Sequence, residues 1–193
     1  MLKVGLTGNY FTGLDDVTSK FKENKIPVFE VDLIIKFLFY NNSQTIKKIQ
    51  KQFGKNFFTD NILDLSKFDD PALFKQLIKT IEIDIIFAFE KWKLEQKSKY
   101  VIFKSQILFE MNWQYLMNFN ITVFKPIGFR INEIQLKNNI NAVQAYELIN
   151  NEMDQFQKNN LSDFVIHNYN SYGVSVETQI TNIDKFLYTK SYA

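Results

Sequence analysis

Cysteine is absent from the 193 residues, which excludes disulfides and thiolate metal sites. Histidine occurs once, as His167, and arginine once, as Arg130, among 23 basic residues. A lone histidine in a short apolar stretch is ordinarily structural or exposed, so imidazole chemistry has a single weak candidate. Proline (3) and glycine (6) are scarce, and no Pro- or Gly-rich linker interrupts the chain. Neither sign of charge dominates: the formal net charge is +2 with lysines and acids interspersed, which gives no electrostatic case for a nucleic-acid partner. Long apolar runs are missing too. The stretch 81–89 carries Glu82 and Asp84 and falls short of a membrane span, and the opening Met1-Leu2-Lys3-Val4-Gly5 is too quickly broken for a signal peptide. The expectation is a soluble, cytoplasmic chain with no membrane partner.

Apolar residues make up 46% and charged residues 23%, the composition of one globular domain with a sizeable core. Residues 2–6 read as a short buried strand, and 7–13 as a loop holding two glycines. Residues 14–24 place Leu14, Val17 and Phe21 on one helical face, and 25–31 turn into a second strand through Pro27. A strand, helix and second strand this close together form a βαβ unit and predict a parallel sheet. Helices are predicted over 32–39 and 43–53, with a break at Asn41-Asn42, and a turn at Asp60-Asn61. Asp69-Asp70-Pro71 opens a long helix reaching about Glu95, with Asp as cap and Pro in the first turn. Strands follow over 100–103, 120–124 and 163–168, with a helical piece around Trp113 to Met117, one amphipathic helix over 141–157 and a closing helix over 174–186. The fold class is α/β, a doubly wound parallel sheet flanked by helices, in a single domain spanning 1–193. The 20 phenylalanines are mostly core by default, with scope for an apolar surface patch that needs a partner.

Val4-Gly5-Leu6-Thr7-Gly8, followed by Gly13 and a helix, resembles the phosphate loop of the dephospho-coenzyme A kinases. Further landmarks come in that family's order: Pro27-Val28-Phe29-Glu30-Val31-Asp32, Phe53-Gly54, Asp60-Asn61-Ile62-Leu63-Asp64, Ile107-Leu108-Phe109-Glu110, Asn138-Asn139-Ile140-Asn141, and Asp163-Phe164-Val165-Ile166-His167-Asn168. The resemblance therefore spans nearly the whole chain. It implies a P-loop-kinase fold with a helical insertion over roughly 33–98 and a lid-like region over roughly 129–157. The ancestral reaction it implies moves the γ-phosphate of ATP, with magnesium, onto the ribose 3′-hydroxyl of dephospho-coenzyme A.

Such a loop works because glycines let backbone N–H groups close around phosphate, a lysine reaches the β- and γ-phosphates, and a Ser or Thr holds magnesium. In Gly8-Asn9-Tyr10-Phe11-Thr12-Gly13-Leu14-Asp15 the outer glycines and Thr12 remain, but Leu14 stands at the lysine position and Asp15 at the hydroxyl position. Asn9 and Phe11 replace intervening glycines; both adopt positive φ less readily and are expected to crowd the cradle. Asp15 and Asp16 suit a helix start, where carboxylates favour the dipole, and would repel a triphosphate. By the same resemblance, the acid ending the third strand falls at Lys104 and its following proline at Gln106. The helix motif His-Pro falls near Ile83-Asp84, lid arginines at Glu133 and Lys137, a mid-chain arginine at Leu65, and a late glutamine at Glu152. Mutational drift toward lysine in an AT-rich genome accounts for some arginine loss, not for Leu and Glu in place of cations. Asp32 matches the family's general base, and is read as a helix cap for Leu33 onward; Glu110 is read as a cap as well. Lys104, at a strand's carboxyl end, faces the ligand crevice of such folds. Arg130 receives no role.

These substitutions predict a degenerate, catalytically inactive family member that serves as a structural or interaction subunit of a larger assembly, a viral particle among the possibilities. Its partners are then proteins, with no cofactor and no metal. The alternative is a divergent ATP-dependent dephospho-CoA kinase with residual nucleotide or coenzyme A binding or activity, for which ATP and magnesium apply. Lys104 or Lys3 then supplies the missing cation. A third possibility is binding of a coenzyme A-like or adenine-containing molecule without turnover. Should Leu14→Lys and Asp15→Ser restore no ATP binding, Tyr10 and Phe11 are expected to fill the pocket.

Overall fold

In chain order the elements are β1 (Leu2–Gly8), α1 (Leu14–Glu23), β2 (Val28–Glu30), α2 (Val31–Asn41), α3 (Ser43–Phe53), β3 (Phe58–Thr59) and β4 (Ile62–Leu63). Then follow α4 (Pro71–Leu94), β5 (Tyr100–Lys104), β6 (Phe119–Phe124), α5 (Ile127–Asn138), α6 (Ala142–Asn150), α7 (Gln155–Asn160), β7 (Phe164–His167) and α8 (Val176–Lys190). These come from a computed structural model that describes residues 1–60, 62–169 and 173–191. Packing divides the chain into two units, Met1–Phe29 with Gln96–Ala193, and Glu30–Glu95.

The first unit carries a five-stranded sheet in the order β2-β5-β1-β6-β7, with β1 paired in parallel to both β5 and β6, and β6 in parallel to β7. β5 is buried at every position, as a parallel strand covered on both faces must be. Val4, Leu6, Ile102 and Ile121 of the sheet meet Val17 and Phe21 of α1 and Ile180 and Leu187 of α8 in one apolar cluster. Each such side chain contributes about 1.5–3 kcal/mol by leaving water. The register sets Leu6 beside Lys104 and Gly8 beside Val123, so the carboxyl ends of β5, β1 and β6 lie level with the loop that follows β1. The doubly wound α/β arrangement is therefore present.

The second unit is helical. Asn42 caps α3 by accepting from the Gln44 and Thr45 N–H groups, and Asp70 caps α4 by accepting from Leu73 N–H, with Pro71 at the first helical position. Ile35, Phe39, Ile49, Ile78, Ile81 and Ile85 are buried, and the rings of Phe53, Phe57 and Phe68 pack together.

Three local expectations change. The helix expected over 141–157 is two helices, α6 and α7, because Asp154 accepts from the Phe156 and Gln157 N–H groups and starts a new one. A helix that the sequence pattern does not announce occupies Ile127–Asn138; its buried face is Arg130 and Ile134, and an inward arginine erases the apolar period. The β3–β4 pair is likewise unannounced; Asp60 in its turn takes a positive φ, and Asn61 lies outside the described residues. Among the described residues no helix is long and apolar enough to cross a membrane.

Candidate active site

Between β1 and α1 the chain turns through two left-handed residues, Phe11 (φ 61) and Gly13 (φ 80). Gly13 has no room for a side chain either, since a Cβ would stand 2.0 Å from Asn168 Nδ2. At Gly8 a Cβ would meet Thr12 Oγ1 at 2.6 Å and the Val123 carbonyl at 3.1 Å. Phe11 adopts the conformation the sequence argues against, at a cost of about 1–2 kcal/mol. Its ring packs on the small cluster of Ile134, Ala145 and Ile149, with Lys137 Nζ 5.2 Å from the ring centroid. Such contacts offset the backbone cost. Tyr10 stands edge-on to it at 4.6 Å and is itself exposed. The two aromatics therefore do not fill the pocket: about 680 Å³ remains in front of the loop, within the range of ligand sites. Gly13, Leu14, Asp15 and Asp16 line one side, and Lys125, Glu133 and Lys137 another. Among the described residues no side chain caps α1, and its first N–H groups have no partner within the helix.

Thr12 holds the loop from inside. Its hydroxyl donates to the Asn9 carbonyl at 2.8 Å, and its own carbonyl accepts from Asn168 Nδ2 at 2.9 Å. Asn9 is buried and donates to the Met153 carbonyl at 2.8 Å. Arg130, 3% exposed, is the loop's main brace: Nε donates to the Tyr10 carbonyl at 2.7 Å and Nη2 to Glu152. Glu152 also accepts from the Tyr10 N–H and, at 3.2 Å, from Asn9 Nδ2. Arg130 and Glu152 thus form one clamp on the loop.

Three other cations of this region are paired in the same way, whereas Lys137 lies over the Phe11 ring. Lys125 donates to both oxygens of Glu133, at 2.8 and 3.0 Å. Lys158, almost wholly buried on α7, bonds Glu110 at 2.8 Å and the Gln106 carbonyl at 2.6 Å. Lys104, 5% exposed at the end of β5, donates to Asp15 Oδ1 at 2.5 Å. The cavity lining holds three carboxylates and two ammoniums, and only Lys104 behind it restores neutrality. The side-chain charges around the cavity thus sum to zero, leaving the uncapped N-terminus of α1, whose Gly13 and Leu14 line the cavity, as the remaining positive pole among the described residues.

Magnesium requires oxygen donors at about 2.0–2.1 Å, and in P-loop enzymes these are the loop hydroxyl and a strand-end acid. Here those two positions hold Asp15 and Lys104, bonded to each other. A dication on the same carboxylate would lie about 4–5 Å from the ammonium and be repelled by roughly 6–8 kcal/mol at an effective dielectric of about 20. Asp15 is 86% exposed, so the pair adds little to stability; the position of the buried ammonium is what matters. The residues at this place do not fit the metal. Among the described residues no group of three or more His, Asp or Glu side chains is arranged to hold one either.

Gly8, Thr12, Gly13, Leu14 and Asp15 lie at the turn from β1 into α1. Asp32 belongs to the helical unit and does not cap α2: the cap position is Glu30, and Asp32 lies in the first turn. Glu110 is not a cap but the partner of Lys158. Asp84 bonds Lys48 Nζ at 2.8 Å and Thr45 Oγ1 at 3.2 Å, and Leu65 begins a 3₁₀ turn. His167 packs its ring against Phe124. Lys125 and Lys158 escape sequence reasoning altogether, because nothing in a sequence separates a buried lysine from the many on the surface. Arg130's rarity is the one available signal.

The family model for dephospho-CoA kinase matches residues 2–173. Dephospho-CoA kinases of Listeria monocytogenes and Oceanobacillus iheyensis are 24% and 26% identical, covering 97% and 88% of this chain and 98% and 90% of theirs. Among solved structures, one from Thermus thermophilus superposes with a TM-score of 0.77 at 17% identity, over 96% of both chains. The dephospho-CoA kinase of Campylobacter jejuni does so with 0.54 at 13% identity, again over 96% of both.

Proposed function

The chain belongs to the dephospho-CoA kinase family, and from that premise we propose that it is a divergent member which keeps residual binding of an adenine nucleotide or a coenzyme A-type ligand, with phosphoryl transfer strongly reduced or lost. The observation that carries this is the open cavity of about 680 Å³ at a loop that still takes its left-handed turns at Phe11 and Gly13. The reduction in transfer follows from Leu14, Asp15, Lys104 and Glu133 at positions where charge stabilisation is needed; one missing arginine finger alone lowers rates by about 10³–10⁵. Calorimetric titration with dephospho-CoA and with ADP tests the reading. A saturable isotherm that Glu133→Arg strengthens supports it. Absence of heat for both ligands, confirmed by unchanged melting temperature at saturating concentrations, defeats it.

The second reading, an interaction subunit in a larger assembly, has its own support. Leu33, Phe37 and Tyr40 recur at one-turn spacing along α2, and each is more than half exposed. Sedimentation of native material separates the two: a discrete complex dissolved by Phe37→Glu favours the subunit role, and a monomer unaffected by that change removes it.

A further inference from the structure

The place where a P-loop enzyme seats its divalent cation is the most altered part of this site, and the alteration is ordered. The loop position that supplies the metal's hydroxyl has become a carboxylate, Asp15, while the strand-end position that supplies the acid has become an ammonium, Lys104. The parallel register of β1 and β5 sets Lys104 beside Leu6, two residues before the loop begins at Gly8, so the lysine enters from beneath the loop. It is buried, and its ammonium bonds Asp15 Oδ1. The two exchanges invert the donors without leaving either charge alone. We propose that the Lys104 ammonium takes the place of the divalent cation by neutralising the Asp15 carboxylate from the sheet, so that a phosphate-bearing nucleotide or coenzyme is bound at this cavity in metal-free form.

Replacement donors for a metal are taken up elsewhere. The Thr12 hydroxyl is buried and bonded to the Asn9 carbonyl, and the Thr18 hydroxyl donates to the Leu14 carbonyl at 2.7 Å. Both oxygens of Glu133 are held by Lys125. Of the three carboxylates lining the cavity, Asp16 is left, and it lies on the same helical turn as Asp15 within the field of Lys104. The proposal rests on the residual-binding reading and specifies its metal requirement.

The test uses ADP as ligand and Mn²⁺ as the spectroscopic stand-in for magnesium. In the wild-type chain the ADP affinity in EDTA and in excess Mg²⁺ should agree to well within tenfold, that is, within about 1.4 kcal/mol. Electron paramagnetic resonance should show no Mn²⁺ held in the presence of ADP. The Asp15→Ser/Lys104→Asp double variant, which returns hydroxyl and acid to their places, should hold one equivalent of Mn²⁺ with ADP and gain at least about tenfold in ADP affinity from Mg²⁺. Mn²⁺ held by the wild type and lost in Asp15→Asn overturns the proposal, and so does a double variant that folds and binds ADP but ignores the metal. If the double variant does not fold, the wild-type comparison of EDTA with Mg²⁺ decides. Failure of the binding reading looks different: no ADP binding by the wild type with or without metal, in which case Mn²⁺ retention by the wild type alone remains the contradiction here.

Discussion

Glu152→Ala is the perturbation whose size the structure defines best. It removes the carboxylate that receives Arg130 Nη2, the Tyr10 N–H and Asn9 Nδ2, and leaves a 3%-exposed guanidinium with the Tyr10 carbonyl as its remaining strong acceptor. Breaking a fully buried ion pair from one side costs about 3–5 kcal/mol. Glu152 is 23% exposed, which admits water to the vacated place, so we take about 2–4 kcal/mol. For a chain of this length that lowers the melting temperature by roughly 5–15 °C. Urea unfolding followed by circular dichroism measures it, and Arg130→Met completes a double-mutant cycle with an expected coupling of about 1.5–3 kcal/mol. Exchange of the Tyr10 amide should accelerate in the same variant. A loss below about 0.5 kcal/mol, the range of an ordinary surface change, would refute the clamp.

Gly13→Ala combines a left-handed φ with a collision against Asn168 and should cost roughly 2–4 kcal/mol by urea unfolding; Asn168→Ala should relieve part of it. The Tyr100 phenol is pushed well above the usual tyrosine range, first by burial and then by its bond to Asp184 at 2.7 Å. Stability from this group is complete below the unfolded value near 10 and falls by about 1.4 kcal/mol per pH unit above it, a slope that Tyr100→Phe should remove. The hydrogen bond from Lys20 lowers the Glu177 carboxyl to about 2. Its contribution is therefore present above the ordinary carboxylate value and is lost as pH falls toward 2; an NMR titration should show the curve return upward in Lys20→Met.

Elements whose apolar spacing is uninterrupted are legible in the amino-acid order itself. The helix over 43–53 shows its start at the Asn41-Asn42 break, the long helix announces its start through Asp70-Pro71, and β5 shows itself as an unbroken apolar run. α5 is hidden because its inward position is an arginine, and the 141–157 stretch looks continuous because Asp154 reads as a helix residue until its side chain is seen to cap. The loop's substitutions are visible at Leu14 and Asp15, but their consequence is not. Asp15, Lys104, Glu133 and Glu152 each look like a loss when taken singly, Lys125 and Arg130 carry no reading at all, and only the distances reveal that these charges neutralise one another in pairs. Phe11 defies expectation for a related reason: a backbone strain of about 1–2 kcal/mol is small beside the packing that fixes it.

On the proposed reading, a ligand cavity persists while the charges around the loop are spent on each other. Incubating the wild-type chain with dephospho-CoA and magnesium ATP, and resolving the products by chromatography, tests this most directly. The prediction is no 3′-phosphorylated product above the protein-free control under conditions where the ligand is bound. Turnover at the usual kinase rate of about 1–100 per second would contradict it.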